Sequence, residues 1–149
     1  RRKAPMPKAS LIAAIAAAAA VAMPASAAQV MITNAWFRAL PAKLPAGGYF
    51  ELHNMGKSTI KLTAAESPAC GMLMLHESKE MGGMSTMKDV SEIEIPAGAT
   101  FRFTPGNFHL MCMDPTKAMK PGASVDVTLR FSDGTTTATK FAVKNAKGQ

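Results

Sequence analysis

The 149-residue sequence is 48% hydrophobic and 18% charged, and its 17 Lys and Arg against 10 Asp and Glu give a net charge of +7. This excess does not indicate nucleic-acid binding, because residues 28–149 alone have 13 Lys and Arg against 10 Asp and Glu. That part of the sequence also lacks a basic stripe with interleaved aromatic residues, which is the usual sign of a nucleic-acid surface. The length suits one small domain with its own hydrophobic core.

Residues 1–27 predict a secretory signal peptide. Four cations lie within residues 1–8, an apolar, alanine-rich run covers 11–23, and the small residues "ASAA" follow. This order of charged, apolar and small residues is that of a cleaved export signal. The apolar run is too short to be a convincing membrane span. We therefore expect cleavage near Ala27 and a single domain over residues 28–149.

The remaining chain predicts nine short β-strands, each bounded by Gly, Pro, Asn or Asp turn signals. In chain order they cover residues 30–38, 48–54, 58–66, 71–77, 88–95, 100–104, 108–113, 124–131 and 136–143. No stretch places apolar residues at helical spacing over three turns. Strands of this length and spacing predict an all-β fold, an antiparallel sandwich or barrel of Greek-key type.

Histidine and methionine are concentrated in the middle of the chain. Alternate side chains of a strand share a face, so strands 71–77 and 108–113 each present one His together with two Met: His76 with Met72 and Met74, and His109 with Met111 and Met113. A Gly-containing loop between these strands adds three more methionines, Met81, Met84 and Met87. Methionine can simply fill gaps in a core, but this number and placement favour a binding site.

The chemistry of these donors indicates copper in its reduced state. Thioether sulfur is soft and neutral, so it selects Cu(I) over hard cations such as Mg²⁺ and Ca²⁺. Zinc sites use thiolate, imidazole and carboxylate instead. Neutral ligands also leave the charge of the ion uncompensated, which suits a monovalent ion.

The spacing of four of these residues carries a family resemblance. His76, Met87, His109 and Met111 form the pattern H-x10-M-x21-H-x-M, and "NAWFRALP", "AGGYFELHNMG" and "IPAGATFRFTPGNFHLM" surround it. This pattern resembles the signature of the periplasmic copper chaperone family known as PCu(A)C. The resemblance covers the whole chain after the signal peptide.

The resemblance implies a cupredoxin-like Greek-key β-sandwich and a non-enzymatic Cu(I) metallochaperone in the periplasm. It places the Cu(I) ligands at His76, Met87, His109 and Met111. It further implies delivery of copper to the CuA centre of cytochrome c oxidase, with oxidase subunit II, a Sco-type thioredoxin-like copper protein, or both, as partners.

Three alternatives stay open at this point. A blue-copper electron-transfer site would need two His, a thiolate and a weak axial Met, for which His53, Cys70, His76 and Met81 could be used. A periplasmic protein for copper storage or tolerance would use the same ligands as a chaperone. In a metal-free scaffolding sandwich, the methionines would only pack.

The two cysteines, Cys70 and Cys112, can be a disulfide or two buried thiols. An oxidising compartment favours the disulfide, which would connect the two strands that carry His76 and His109. His53 is interpreted as a solvated residue at a strand end.

Overall fold

The computed structural model describes residues 4–5 and 27–149, so the predicted signal peptide lies almost entirely outside the described residues. The described chain forms ten β-strands: β1 Val30–Arg38, β2 Ala46–Asn54, β3 Ile60–Glu66, β4 Cys70–Met81, β5 Met84–Asp89, β6 Ile93–Ile95, β7 Thr100–Phe103, β8 Phe108–Pro115, β9 Ser124–Phe131 and β10 Thr136–Lys144. Over these residues, no helix has the length and apolar character needed to cross a membrane. The predicted all-β fold is confirmed.

The region after His76 differs most from the predicted strands, whereas β1 and β9 have their predicted bounds. The predicted loop is a β-hairpin, because β4 continues to Met81 and β5 begins at Met84. Its two turn residues, Gly82 and Gly83, have φ of 59° and 83°, and a two-residue turn of this kind requires positive φ at both positions. The single predicted strand 88–95 is two strands, because β5 pairs with β4 whereas β6 pairs with β3.

The strands follow one hydrogen-bonded order, β5-β4-β8-β2-β1-β10-β9-β3-β6, with β7 paired to β2. They enclose a single core as a β-sandwich, and β2 is shared because residues 46–48 pair with β8 and residues 50–53 pair with β7. One pairing departs from the antiparallel prediction: β1 and β10 are parallel, with Phe37 opposite Val143. No hairpin joins these two strands, so no tight turn fixes their relative direction.

Alternation along β8 separates the core from the outer face of the sheet. Leu110 and Cys112 are fully buried, whereas Met111 and Met113 are half-buried. The largest fully buried side chains include Phe37, Phe50, Phe103, Phe141, Leu52, Leu62, Ile95, Leu110 and Leu129. Aliphatic and aromatic groups therefore fill the core, and the methionines of β8 are left for the other face.

Asn54 is a fully buried polar side chain at the end of β2. Its Nδ2 donates to the carbonyl oxygens of Ser58 at 2.8 Å and Ile95 at 3.0 Å, and its Oδ1 accepts from the backbone N–H of Gly56 at 3.0 Å. We expect Asn54→Ala to lower the free energy of unfolding by about 2–4 kcal/mol, because each buried group left unpaired costs about 1–3 kcal/mol. Urea denaturation measures this change. Lys57→Ala, an exposed replacement in the same turn, is the control and should have almost no effect; an equally small effect of Asn54→Ala would contradict the prediction.

Candidate metal centre

Strands β4 and β8 bring the two predicted histidine ligands together. His76 is the cross-strand partner of His109, and the two ring centroids are 5.7 Å apart with the rings nearly perpendicular, at 87°. Directly opposed residues of this kind have Cβ atoms about 4.5–5.5 Å apart. The two strands are antiparallel, and the two imidazoles are close enough to bind one ion.

The backbone fixes the orientation and tautomer of His109, which is only 4% exposed. Its Nδ1 lies 3.0 Å from the carbonyl oxygen of Asn107. A carbonyl oxygen can only accept, so Nδ1 donates this hydrogen bond, and in the neutral imidazole Nε2 therefore carries the lone pair. Within the described part of the chain, Nε2 is buried and has no hydrogen-bond partner. Metal-bound histidines commonly donate their other N–H to such a carbonyl, so the surroundings of His109 are those that a ligand binding through Nε2 would need.

His76 has an acidic neighbour that the sequence analysis missed. Asp89 is its cross-strand partner on β5, and Oδ1 of Asp89 lies 2.8 Å from Nε2 of His76. The contact lacks hydrogen-bond geometry, and among the described residues both ring nitrogens of His76 are buried without a hydrogen-bond partner. The Asp89 side chain is 77% exposed, so it can turn into solvent when Nε2 binds an ion. The alternation of side chains along a strand could have indicated Asp89, because it follows Met87 by two residues and therefore shares its face.

Thioethers border the histidine pair on one side. Met111 follows His109 on the same face of β8 and is half-buried. Its cross-strand partner is Met74 of β4. Across residues 4–5 and 27–149, no three His, Cys, Asp or Glu side chains are grouped as a metal site. The centre that the register builds is therefore a pair of imidazoles with adjacent thioethers.

Met87 lies on the site face but apart from the other three predicted ligands. Its partner on β4 is Ser78, two residues beyond His76, and it is 60% exposed. For strands about 4.8 Å apart with a rise of about 3.4 Å per residue, the Cα atoms of Met87 and Met111 are about 17 Å apart in a flat sheet. The prediction of a loop position was wrong, since Met87 is within β5. Binding by all four ligands requires the β4–β5 hairpin to bend over the histidines.

The remaining candidates lie away from the histidine pair. Met81 and Met84 are cross-strand partners at the hairpin tip, each 70% exposed, and their strand parity places them on the face opposite to Met87. His53 of β2 has its Nδ1 2.8 Å from Oγ1 of Thr100. Its position agrees with the interpretation of a strand-end residue outside the site.

A disulfide joins the two strands that carry the histidines. Cys70, at the start of β4, is bonded to Cys112 of β8, and their Cα atoms are 5.3 Å apart. Cys112 is fully buried on the core side, away from Met111. The predicted bridge is confirmed. The blue-copper alternative loses its thiolate, because these are the two cysteines of the sequence.

The fold and this face define a small β-sandwich domain with a soft-donor centre built on a histidine pair. The chain belongs to the LpqE-like family, described as putative lipoprotein LpqE-like, whose family model matches residues 30–143. A relative, the putative lipoprotein Lxx21020 of Leifsonia xyli subsp. xyli (strain CTCB07), is 35% identical over 120 residues. The match covers 80% of this chain and 72% of the relative.

Solved structures share the fold. The solution structure of CuI-DR1885 from Deinococcus radiodurans is 31% identical, with a TM-score of 0.62, and the match covers 85% of this chain and 83% of that one. The copper-bound PCuAC domain from PmoF2 has a TM-score of 0.65 at 19% identity, covering 80% of this chain and 96% of that one. The resemblance to the PCu(A)C family and the predicted β-sandwich are confirmed.

Proposed function

We propose that this protein is an exported, non-enzymatic Cu(I) metallochaperone that carries copper to the CuA centre of cytochrome c oxidase. The observation that carries the proposal is the buried Nε2 of His109, which has no hydrogen-bond partner in the described chain and belongs to an imidazole directly opposite that of His76. A buried polar atom without a partner costs free energy. Binding of an ion supplies the missing partner.

The neighbouring donors favour Cu(I) as the ion. Met111 and Met74 add thioether sulfur beside the imidazoles, and sulfur of this type prefers a soft monovalent ion. Met87 completes the proposed ligand set of His76, Met87, His109 and Met111 when the hairpin bends towards the histidines.

A carrier must also release its ion, and the geometry of Met87 supports release. Met87 is 60% exposed and sits on a hairpin that projects beyond β8. A partner can replace this thioether first and the half-buried Met111 later. Ligands that differ in their exposure to solvent therefore allow a partner to take over the ion stepwise, whereas a site closed to solvent would retain the ion.

Export and destination are part of the same proposal. The predicted signal peptide, the Cys70–Cys112 disulfide and the lipoprotein descriptions of the family and the relative support export, since disulfides persist in oxidising compartments. Delivery in the periplasm to oxidase subunit II, directly or with a Sco-type protein, rests on the PCu(A)C resemblance. The structure of DR1885 with Cu(I) supports the choice of oxidation state.

An anaerobic Cu(I) titration tests the binding. We expect one tightly retained equivalent by native mass spectrometry and a higher melting temperature, because an ion at 100 times its Kd stabilises the folded state by about 2.7 kcal/mol. Zn²⁺ under the same conditions is the control and should stabilise the protein much less. Absence of retained Cu(I), together with an unchanged melting temperature, would contradict the proposal and favour a metal-free sandwich.

A transfer experiment tests the destination. Cu(I)-loaded protein is mixed anaerobically with the apo CuA domain of oxidase subunit II, with and without a reduced Sco-type protein, and the copper content of each is measured after separation. We expect copper to move to the CuA domain. Copper that stays on the chaperone in both mixtures would contradict delivery and favour storage or tolerance.

A further inference from the structure

The outer face of β4 and β8 carries soft donors beyond the histidine pair. Three successive cross-strand pairs occupy this face: His76 with His109, Met74 with Met111, and Met72 with Met113. Of these six residues, the proposed copper centre uses His76, His109 and Met111, so the pair of Met72 with Met113 has no role in it. Two thioethers directly opposite each other at a sheet surface are themselves a ligand pair for a soft ion.

The geometry allows Met72 and Met113 to bind one ion. Directly opposed side chains have Cβ atoms about 4.5–5.5 Å apart, and methionine has three rotatable bonds with which to place its sulfur. Met74 and Met111 follow along the strands at a distance of about 7 Å, and the histidine pair follows at about 14 Å. The Met74–Met111 pair thus lies between the two ends of this row.

Strands β4 and β8 are covalently joined near the Met72–Met113 pair. The Cys70–Cys112 disulfide joins β4 to β8, and Cys112 lies opposite Leu73, the residue after Met72. A covalent bridge beside the pair keeps the strands from separating. The thioethers therefore need no large backbone movement to meet an ion.

Core packing does not account for Met72. Its side chain is 58% exposed, so it removes little apolar surface from water. Met113 is half-buried on the same face, which leaves one side of the pair open to solvent. An exposed thioether opposite a half-buried one is accessible to an incoming partner.

We propose that Met72, Met74 and Met113 form a second, weaker Cu(I) site beside Met111 of the histidine centre. The inference rests on the proposed function and adds the position through which the ion passes between the histidines and a partner. The ion stays Cu(I) throughout, and only neutral ligands exchange. Affinity at this site is lower than at the histidine centre, because thioethers are the only ligands.

Ag(I), a monovalent soft ion that does not change oxidation state, is the probe. The exported protein with ¹³C-labelled methionine methyl groups is titrated with Ag(I), with stoichiometry followed by native mass spectrometry and binding position by NMR. The test variant is Met72→Leu/Met113→Leu. Met81→Leu/Met84→Leu is the matched control, because it also removes an exposed cross-strand methionine pair but on the other face of the hairpin.

We expect the parent and the control to bind two equivalents, the second of which shifts the methyl signals of Met72 and Met113. The test variant should lose the second equivalent and keep the first. The single variant Met72→Leu, which alters an exposed side chain, should weaken the second equivalent without affecting folding. A second equivalent that survives in the test variant, or a parent that binds only one, would overturn the inference. A parent that binds no Ag(I) at all would instead contradict the proposed function. The two failures are therefore distinguishable.

Discussion

Replacing His109 by Ala is expected to lower the Cu(I) affinity by at least about 100-fold. Removing a residue that only hydrogen-bonds to a metal ligand typically lowers metal affinity about 10–100-fold, and removing a ligand itself should lower it by at least as much. The Nε2 of this residue is the buried atom without a hydrogen-bond partner among the described residues, and no other imidazole can take its place opposite His76. Competition with a chromogenic Cu(I) chelator under anaerobic conditions measures the affinity.

His53→Ala is the matched control for this prediction. His53 is the third histidine of the sequence, and its Nδ1 lies near Thr100 of β7 rather than near the pair. We expect parental affinity from the control and a loss in His76→Ala comparable to that in His109→Ala. Since His109 is buried, the melting temperature of each variant without metal is compared first. A folded His109→Ala protein that binds Cu(I) as tightly as the parent would refute the role of this imidazole.

Removing the disulfide is expected to lower the free energy of unfolding by about 4 kcal/mol in the variant Cys70→Ala/Cys112→Ala. The bridge closes a sequence separation of 42 residues, and the loss of chain entropy in the unfolded state for a loop of this size corresponds to about 4 kcal/mol. Equilibrium urea denaturation measures the change.

The reduced parent protein is the control that separates cross-linking from packing. Reduction breaks the covalent link but keeps both sulfur atoms of Cys70 and Cys112, which the double Ala variant lacks. The reduced parent therefore fills nearly the same volume in the core as the oxidised parent. We expect the reduced parent to lose most of the stability that the variant loses. Equal stability of oxidised and reduced protein would show that the bridge does not stabilise the fold.

Local sequence patterns predicted the face of β8 on which the proposed copper ligands lie. Turn signals bound β1 and β9 closely, and both strands have their predicted limits. The period-two alternation of "FHLMCM" places His109 and Met111 on one face and Leu110 and Cys112 on the other, and the cross-strand pairs of His109 with His76 and of Met111 with Met74 agree with it. Alternation is a property of the extended backbone itself, so no knowledge of neighbouring strands is needed to predict it.

Register between strands could not be predicted in the same way. The position of Met87 depends on how the Gly82–Gly83 turn aligns β5 with β4, and the contact of Asp89 with His76 follows from that alignment. The pairing of Met72 with Met113 depends on β4 and β8, whose alignment is set by contacts distant in sequence. The parallel pairing of β1 with β10 is likewise fixed by the assembled sandwich and by no local turn.

The direction of β1 determines how the domain is presented to its surroundings. Val30, at the start of β1, pairs with Asn54, whereas Arg38 at its end pairs with Gly47, the neighbour of Met111. The partners of these two ends are seven positions apart on β2, because the pairing is irregular between Thr33 and Trp36, so the ends of β1 are about 24 Å apart for a rise of about 3.4 Å per residue. A chain that enters the domain at Val30 therefore does so about 24 Å along the strand direction from the level of Met111, so its point of entry lies apart from the Met74–Met111 and Met72–Met113 pairs.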